Sequence, residues 1–353
     1  MSYTQFTSDD IIEGNIVRGV TSTAFSNNSG SLTAFHTSSA QTASAAGLFQ
    51  WECYNKATSN TDAEVQFSIA YGRHKGSGSV GETGASTGFT PTRAIYSQFR
   101  QILLTETDPS TTFGMEDNTN HGRMYFLTMN RARYKQGINT GNWELHLSSS
   151  NGAANKFASG SALKLIDDST LQNGETVNGH LVYNIVSGSE SSGVYKSGSA
   201  NEIHYWGKIY PELGIMAFAG NKILLHAGPG GDNSGLQLGV EDSDDTYDEM
   251  NGRFFDAINR GKYFAIRASE DVTSTHYFVR AKNSHFNYST NPTYQTGSTG
   301  QLAHNSFIQN PQTFITTVGM YNDNNELLAT AKLSKPMLKN FERETTIRVK
   351  LDY

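Results

Sequence analysis

The chain has a single cysteine, Cys53, among 353 residues. One thiol permits no internal disulfide, which excludes a disulfide-stapled scaffold and points to folding in a reducing cytoplasm. By residue type Cys53 is a candidate nucleophile, but its setting, FQWECYN, reads as the core of a strand and the thiol as packed. Charge is also scarce, at 17% of residues against about a quarter in ordinary globular proteins. The net charge is −6 and the sequence pI about 5.9, and Lys and Arg are dispersed. That argues against a nucleic-acid wrapper, which needs a basic face. No run of eighteen apolar residues exists, so no membrane-spanning helix is expected. The opening residues, MSYTQFTSDDIIEG, have neither the basic region nor the apolar stretch of a signal peptide.

Ser, Thr, Asn and 34 glycines take the place of the missing charge, and aromatics stand at 11%, with 17 Tyr and 19 Phe. A disordered chain is poor in aromatics and rich in net charge, so this one folds. Many turn residues beside many Tyr and Phe predict a β-rich architecture. An uncharged polar surface also suits a protein that buries its surface against neighbours.

The last residues alternate cleanly. Ile347, Val349, Leu351 and Tyr353 face one way, and Arg348, Lys350 and Asp352 the other, which predicts a half-buried strand held by a sheet. Further strands are expected at 11–20, 49–54, 63–71, 124–130, 143–148, 162–167, 181–186, 203–208, 215–219, 224–227, 263–267, 276–282, 314–321 and 326–333. Two helices are inserted. The first runs over 91–105, with Thr90 as N-cap and Pro91 in the first helical position. The second runs over 246–260, capped by Asp244 or Asp245 and stopped by Gly261. The fold class is therefore mainly β with two inserted helices, in β-sandwich-like domains. Residues 1–47 form an N-terminal arm, its Ser/Thr/Ala-rich part at 22–47 extended over the surface. Residues 48–310 form a β-rich body, and 311–353 a C-terminal hairpin and terminal strand. The Gly-Ser tract at 76–88 is a flexible loop, and no fixed-period repeat occurs.

Candidate chemistry is thin. The acids Glu241, Asp242, Asp244, Asp245, Asp248 and Glu249 are numerous enough for calcium, but the glycine and ligand ladder of an EF-hand loop are absent. They read better as a helix N-terminus suited to its dipole. Ten histidines, at 36, 74, 121, 146, 180, 204, 226, 276, 285 and 304, include no HxxxH or HxH pair and have no cysteine partner. His204 and His226 are expected as packed strand residues, and His121 in a turn. The segment GPGGDNSG at 228–235 lacks the lysine of a phosphate loop. GxSxG spacing in the Gly-Ser tract has no strand-turn-helix context. A carboxylate pair for glycoside hydrolysis is defined by a separation in space that sequence spacing does not give. No catalytic residue, cofactor or metal site is assigned, and an enzyme is not expected. Phe286, Tyr288 and Tyr294, in the Asn-rich loop 283–305, either pin that loop to the body or meet a partner or a glycan; a neighbouring protein is favoured over sugar.

Several blocks carry a resemblance. NRARYK at 130–135, VYNIVSGS at 182–189, VRAKNSHFNYSTNP at 279–292 and NPQTFITTVGMY at 310–321 occur in an order similar to that in a family of virion structural proteins. AEVQFSIA and YGRHK at 63–75 fit it too, and the segment 311–353 resembles the family's C-terminal signature. The family belongs to T-even-like contractile-tailed phages, especially those of marine cyanobacteria. The likeness covers most of the chain, thinly over the first forty residues, and its blocks are strands and turns rather than catalytic motifs. It implies a tail or baseplate component of a virion, assembled in the host cytoplasm. Its partners would be other tail and baseplate proteins and further copies of itself in a symmetric particle, with no nucleic acid and no membrane insertion. The rival expectations are a receptor- or glycan-binding module associated with a tail fibre, a virion-borne depolymerase, and a head decoration or neck protein.

Overall fold

The computed structural model describes residues 4–38, 50–76, 92–104, 110–116, 120–149, 162–196, 201–224, 236 and 247–352. The chain is mostly β, with few helices. In order come β1 (Ile11–Val20), β2 (Trp51–Tyr54), β3 (Val65–Arg73), α1 (Thr92–Leu104), the short β4 (Phe113–Gly114) and β5 (Asn120–His121), and β6 (Arg123–Met129). Next are β7 (Gly137–Leu147), β8 (Leu163–Asp167), β9 (Glu175–Val177), β10 (His180–Ser189), β11 (Gly193–Val194), β12 (Tyr205–Tyr210) and β13 (Ile215–Ala219). Then follow α2 (Gly220–Leu224), α3 (Tyr247–Gly261) and the long β14 (Phe264–Ala281). The last part holds β15 (Gln295–Thr296), β16 (Gln301–Leu302), α4 (Ser306–Gln309), β17 (Thr313–Tyr321), β18 (Leu327–Lys339) and β19 (Thr345–Asp352). Two compact units result: Gly19–Glu270, and Met1–Arg18 together with Asp271–Tyr353.

The larger unit is an antiparallel sheet in the order β14-β7-β8-β10-β12-β13-β6-β3-β2. Its central strands are covered on both faces, so they read as apolar runs rather than strict alternation; all five residues of β13, IMAFA, are buried. Successive residues of β6 point to opposite faces. Tyr125 stacks on Phe254 of α3, centroids 4.7 Å apart, and Phe126 stacks on Phe99 of α1 at 4.0 Å. On the α3 face lies the main core, with Phe67, Trp143, Leu145, Phe218 and Phe254; on the α1 face lies a smaller one, with Tyr96, Leu103, Met124 and Ala217. A Cβ on Gly72 would lie 2.9 Å from the Tyr96 backbone, so glycine there lets α1 sit directly on the sheet. The rings of Phe67 on β3 and Phe264 on β14 are 5.5 Å apart, although six strands separate them in the sheet order. The sheet is therefore rolled until its ends meet, as right-handed strand twist allows in a large sheet.

The described part of the expected 22–47 arm differs from an extended surface segment. Residues 21–36 lie where the rolled sheet closes: Leu32 bridges Phe264, and His36 bridges Tyr54. Ala24, Phe25, Leu32 and Phe35 are buried in the main core, and Gln66 accepts from the Ser26 N–H at 3.0 Å while donating to its hydroxyl at 2.9 Å. The low-complexity composition hid four well-placed apolar side chains. Residues 39–47 lie outside the described residues, as do the tract 77–91 and the strand expected at 225–227.

Two other readings are corrected. Gly261 does not stop α3 by adopting a left-handed conformation; Lys262 does so, at φ +53°, and its N–H closes on the Ile258 carbonyl at 3.1 Å. Gly261 is needed because a Cβ there would lie 2.0 Å from the His146 carbonyl oxygen. The strands expected at 263–267 and 276–282 are one strand, β14. The polar residues between them, SEDVTST, hid this continuity, yet Ser274 and Thr275 are fully buried.

In the smaller unit the C-terminal half of β14 pairs with β19, from Ser274↔Asp352 to Ala281↔Thr345. Strands β17 and β18 form a separate two-stranded ribbon. Val318, Ile347 and Val349 form the buried centre, flanked by half-buried Tyr277, Val279, Met320 and Met337. Arg348 and Lys350 face solvent, and Tyr353 is outside the described residues. Lys339, at the end of β18, has no exposed surface. Its ammonium donates to the Asn283 carbonyl, Asn287 Oδ1 and the Asn340 carbonyl at 2.8–2.9 Å, which organises the start of the loop after β14.

Candidate functional site

Cys53 is fully buried on β2, and burial, helped by Glu52, holds its thiol pKa well above the ordinary value. A thiol so held stays protonated and is a poor nucleophile. The acids 241–246 and the segment 228–235 lie outside the described residues, and Glu249 is exposed in the first turn of α3. Among the described residues no group of three or more His, Cys, Asp or Glu is placed to hold a metal ion. The histidines are scattered: His74 meets the Tyr96 ring at 5.5 Å, His180 pairs with Glu212 at 2.9 Å, and His304 meets the Phe307 ring at 5.6 Å. His204 precedes β12 rather than lying within it, His226 is outside the described residues, and His121 is buried on β5 rather than set in an exposed turn.

Two polar clusters in the larger unit escaped sequence reasoning. Asp167, fully buried at the end of β8, accepts from the Trp143 indole at 2.6 Å, from Gly141 N–H at 2.8 Å and from Ser169 N–H at 3.0 Å. Glu144 on β7 holds the His146 ring with one oxygen and accepts from Glu190 N–H with the other at 2.8 Å; Glu190 pairs with Arg267 of β14 at 2.8 Å. The His146 ring lies 4.6 Å from that of Tyr263, whose pKa burial raises, with Glu144 and Glu190 adding to the rise. A carboxylate that orients an imidazole resembles half of a hydrolytic triad. No hydroxyl or thiol bonds to the other side of the ring in the described residues; Glu144, Glu190 and Arg267 together tie β7 and the end of β10 to β14. In sequence these residues are only the alternate positions of WELHLS and a distant Glu-Arg pair, which spacing does not connect.

The surface that stands out is on the smaller unit. Among the described residues, ten of the fourteen exposed large apolar side chains belong to it, while only Ala281, Tyr294, Val318, Ile347 and Val349 are its buried apolar residues. Phe286 (40% exposed), Phe314 (60%) and Phe341 (56%) lie near the Lys339 end of the ribbon, since Thr313 donates to the Phe286 carbonyl and Lys339 to that of Asn340. Tyr321, Leu327 and Leu328 lie at the turn end, exposed by 39%, 53% and 68%. The aromatics of the loop 283–305 divide their roles. Tyr294 is buried, stacks on Phe307 at 5.0 Å and donates to the Asn287 carbonyl at 3.0 Å, so it pins the loop. Phe286 and Tyr288 are left exposed, and Phe286 holds a φ of +57°, a conformation that is rare for a bulky residue and often marks a functional constraint.

No family model matches the chain, and no curated protein or solved structure matches it at a significant level. Among the described residues no helix is long and apolar enough to cross a membrane.

Proposed function

We propose that this chain is a structural protein of a contractile-tailed phage virion, a tail or baseplate component that works by burying surface against neighbouring virion proteins and further copies of itself. The observation that carries the reading is the imbalance of the smaller unit: few buried apolar residues, and most of the exposed large ones among the described residues. Monomeric proteins rarely expose extended apolar patches, and those that do use them for contact. The sparse charge supports the same reading, because an uncharged polar surface is cheaper to desolvate. The sequence blocks similar to phage structural proteins add their weight: the block 310–321 includes β17, and 279–292 includes the exposed Phe286 and Tyr288. A virion protein needs no catalytic centre, and none is proposed.

The test is to purify virions of a phage that encodes the chain, quantify it by mass spectrometry and locate it by immunogold labelling. Stoichiometric presence with label at the tail end supports the reading. Absence from purified particles, or turnover of host polysaccharide lost on a single carboxylate substitution, overturns it. One observation favours a second reading, a glycan-binding module: Tyr288 and Phe286 are exposed on a loop rich in Asn, Ser and Thr. Binding to host glycan arrays lost in Tyr288→Ala would select that reading.

A further inference from the structure

Apart from the two-residue strands β15 and β16, the smaller unit has four strands with an unpaired edge among the described residues, and three of them are guarded. Strand β18 exposes Lys332, Lys335 and Pro336. Strand β19 exposes Arg348 and Lys350. Strand β1 carries exposed Glu13, then Gly14 at φ +85°. Charges, proline and backbone irregularity are the usual devices that stop an edge from recruiting another strand. Strand β17 has neither charge nor proline, and where its ladder with β18 shifts register, between Ile315 and Thr317 and between Met320 and Tyr321, the extra residues lie on β18. Its nine residues, TFITTVGMY, are rich in β-branched and aromatic side chains. Among the described residues no backbone hydrogen bond reaches 313–320 from any element other than β18. Phe314, Thr316, Thr317, Gly319 and Tyr321 are exposed along it. The ribbon to which it belongs has two strands, an arrangement of marginal stability by itself.

We infer that the free edge of β17 pairs antiparallel with β17 of a second copy of this chain, joining two ribbons into one four-stranded sheet about a twofold axis. A twofold antiparallel contact requires a strand that complements itself. Here no like charges oppose each other in any register, because β17 carries none. The smaller unit as a whole has nine acidic and nine basic residues, so the net −6 belongs to the larger unit and the contact falls on the neutral part of the chain. The pairing also satisfies both bare edges at once and leaves only the guarded β18 edges outside, so assembly stops at two rather than growing into a fibre. It is strand addition with this chain as its own partner, and it stands whether or not the chain is a virion protein.

The experiment uses the full chain in solution, by sedimentation from about 1 to about 100 µM, the range of affinity of small interfaces. The variants are Thr317→Glu and Thr316→Lys. Thr317 faces Lys332 across the ribbon, so the new carboxylate meets an opposite charge within its own chain while guarding the outer edge. Circular dichroism and thermal melts confirm that each variant is folded. The expected result is a monomer–dimer equilibrium whose dissociation constant rises at least about tenfold in both variants. In the parent chain, hydrogen exchange in 313–321 should slow as concentration rises, while exchange in 345–352 does not change. A chain that stays monomeric throughout overturns the inference, and so does an odd-numbered assembly. Dimers that both folded variants leave intact, or concentration-dependent protection confined to other segments, overturn it too.

Discussion

Substituting Ile347→Ala tests whether the small core holds its unit together. Ile347 sits opposite Val279 on β14 and is 7% exposed, packed with Val318 and Val349. Truncating a buried Ile to Ala costs about 2–5 kcal/mol, the larger figures where neighbours cannot collapse into the space. Half-buried Val279, Met320 and Met337 flank the three buried members of this cluster among the described residues, and they close only part of the gap. A unit of this size holds about 5–15 kcal/mol in total, so the substitution removes a large share of it. Hydrogen exchange read by mass spectrometry separates the two units. Amides that open through unfolding of the small unit should exchange faster by about 30-fold to a few thousand-fold, at a factor of ten per 1.4 kcal/mol. The affected segments should be 274–281, 313–321, 327–339 and 345–352, while 123–129 and 215–219, deep in the larger sheet, keep their protection. Unchanged exchange in β17 to β19 would refute the idea that this cluster supports the unit. Equal acceleration over the whole chain would refute the assignment of its effect to one unit.

Asp167→Ala should destabilise the larger unit by about 3 kcal/mol or more, since it strands the Trp143 indole and the Gly141 and Ser169 N–H groups at about 1–3 kcal/mol per unpaired buried donor; denaturant unfolding with the Trp143 emission shift as reporter measures it. Acid should loosen the smaller unit selectively. The Asp10 pKa is held below 3.8 by hydrogen bonds from Thr7 and then by Arg280, and that of Asp352 by Lys350 and then by Ser274. Both carboxylates are therefore more acidic folded than unfolded, so their contribution is complete above the unfolded value of 3.8 and is lost as pH falls through their lower folded values. Melting midpoints measured from pH 2 to 5 should show this slope, and Asp10→Asn should flatten it.

Much of the local structure was legible because its causes are local. The alternation of 347–352 placed a half-buried strand where β19 lies, and the apolar spacing between Ala94 and Leu103 placed a helix where α1 lies. Phe254, Phe255, Ala257 and Ile258 marked the packed side of α3 in the same way. The polar sites were not legible, since Asp167 meets Trp143 from another strand and Glu144 meets Glu190 across 46 positions.

By itself the sequence determined the class of the protein. Its alternating and continuous apolar runs, its turn residues and its low charge specify many strands, few helices and a surface cheap to bury, because these follow from side-chain period and composition. Only the tertiary structure decided how the strands are used. Rolling the large sheet brought Phe67 to Phe264 and drew residues 21–36 into the seam, since closing a sheet depends on twist summed over many strands. It also left one side of β17, over 313–320, without a partner strand among the described residues, because whether an edge is covered depends on which strands arrive beside it and not on its own sequence.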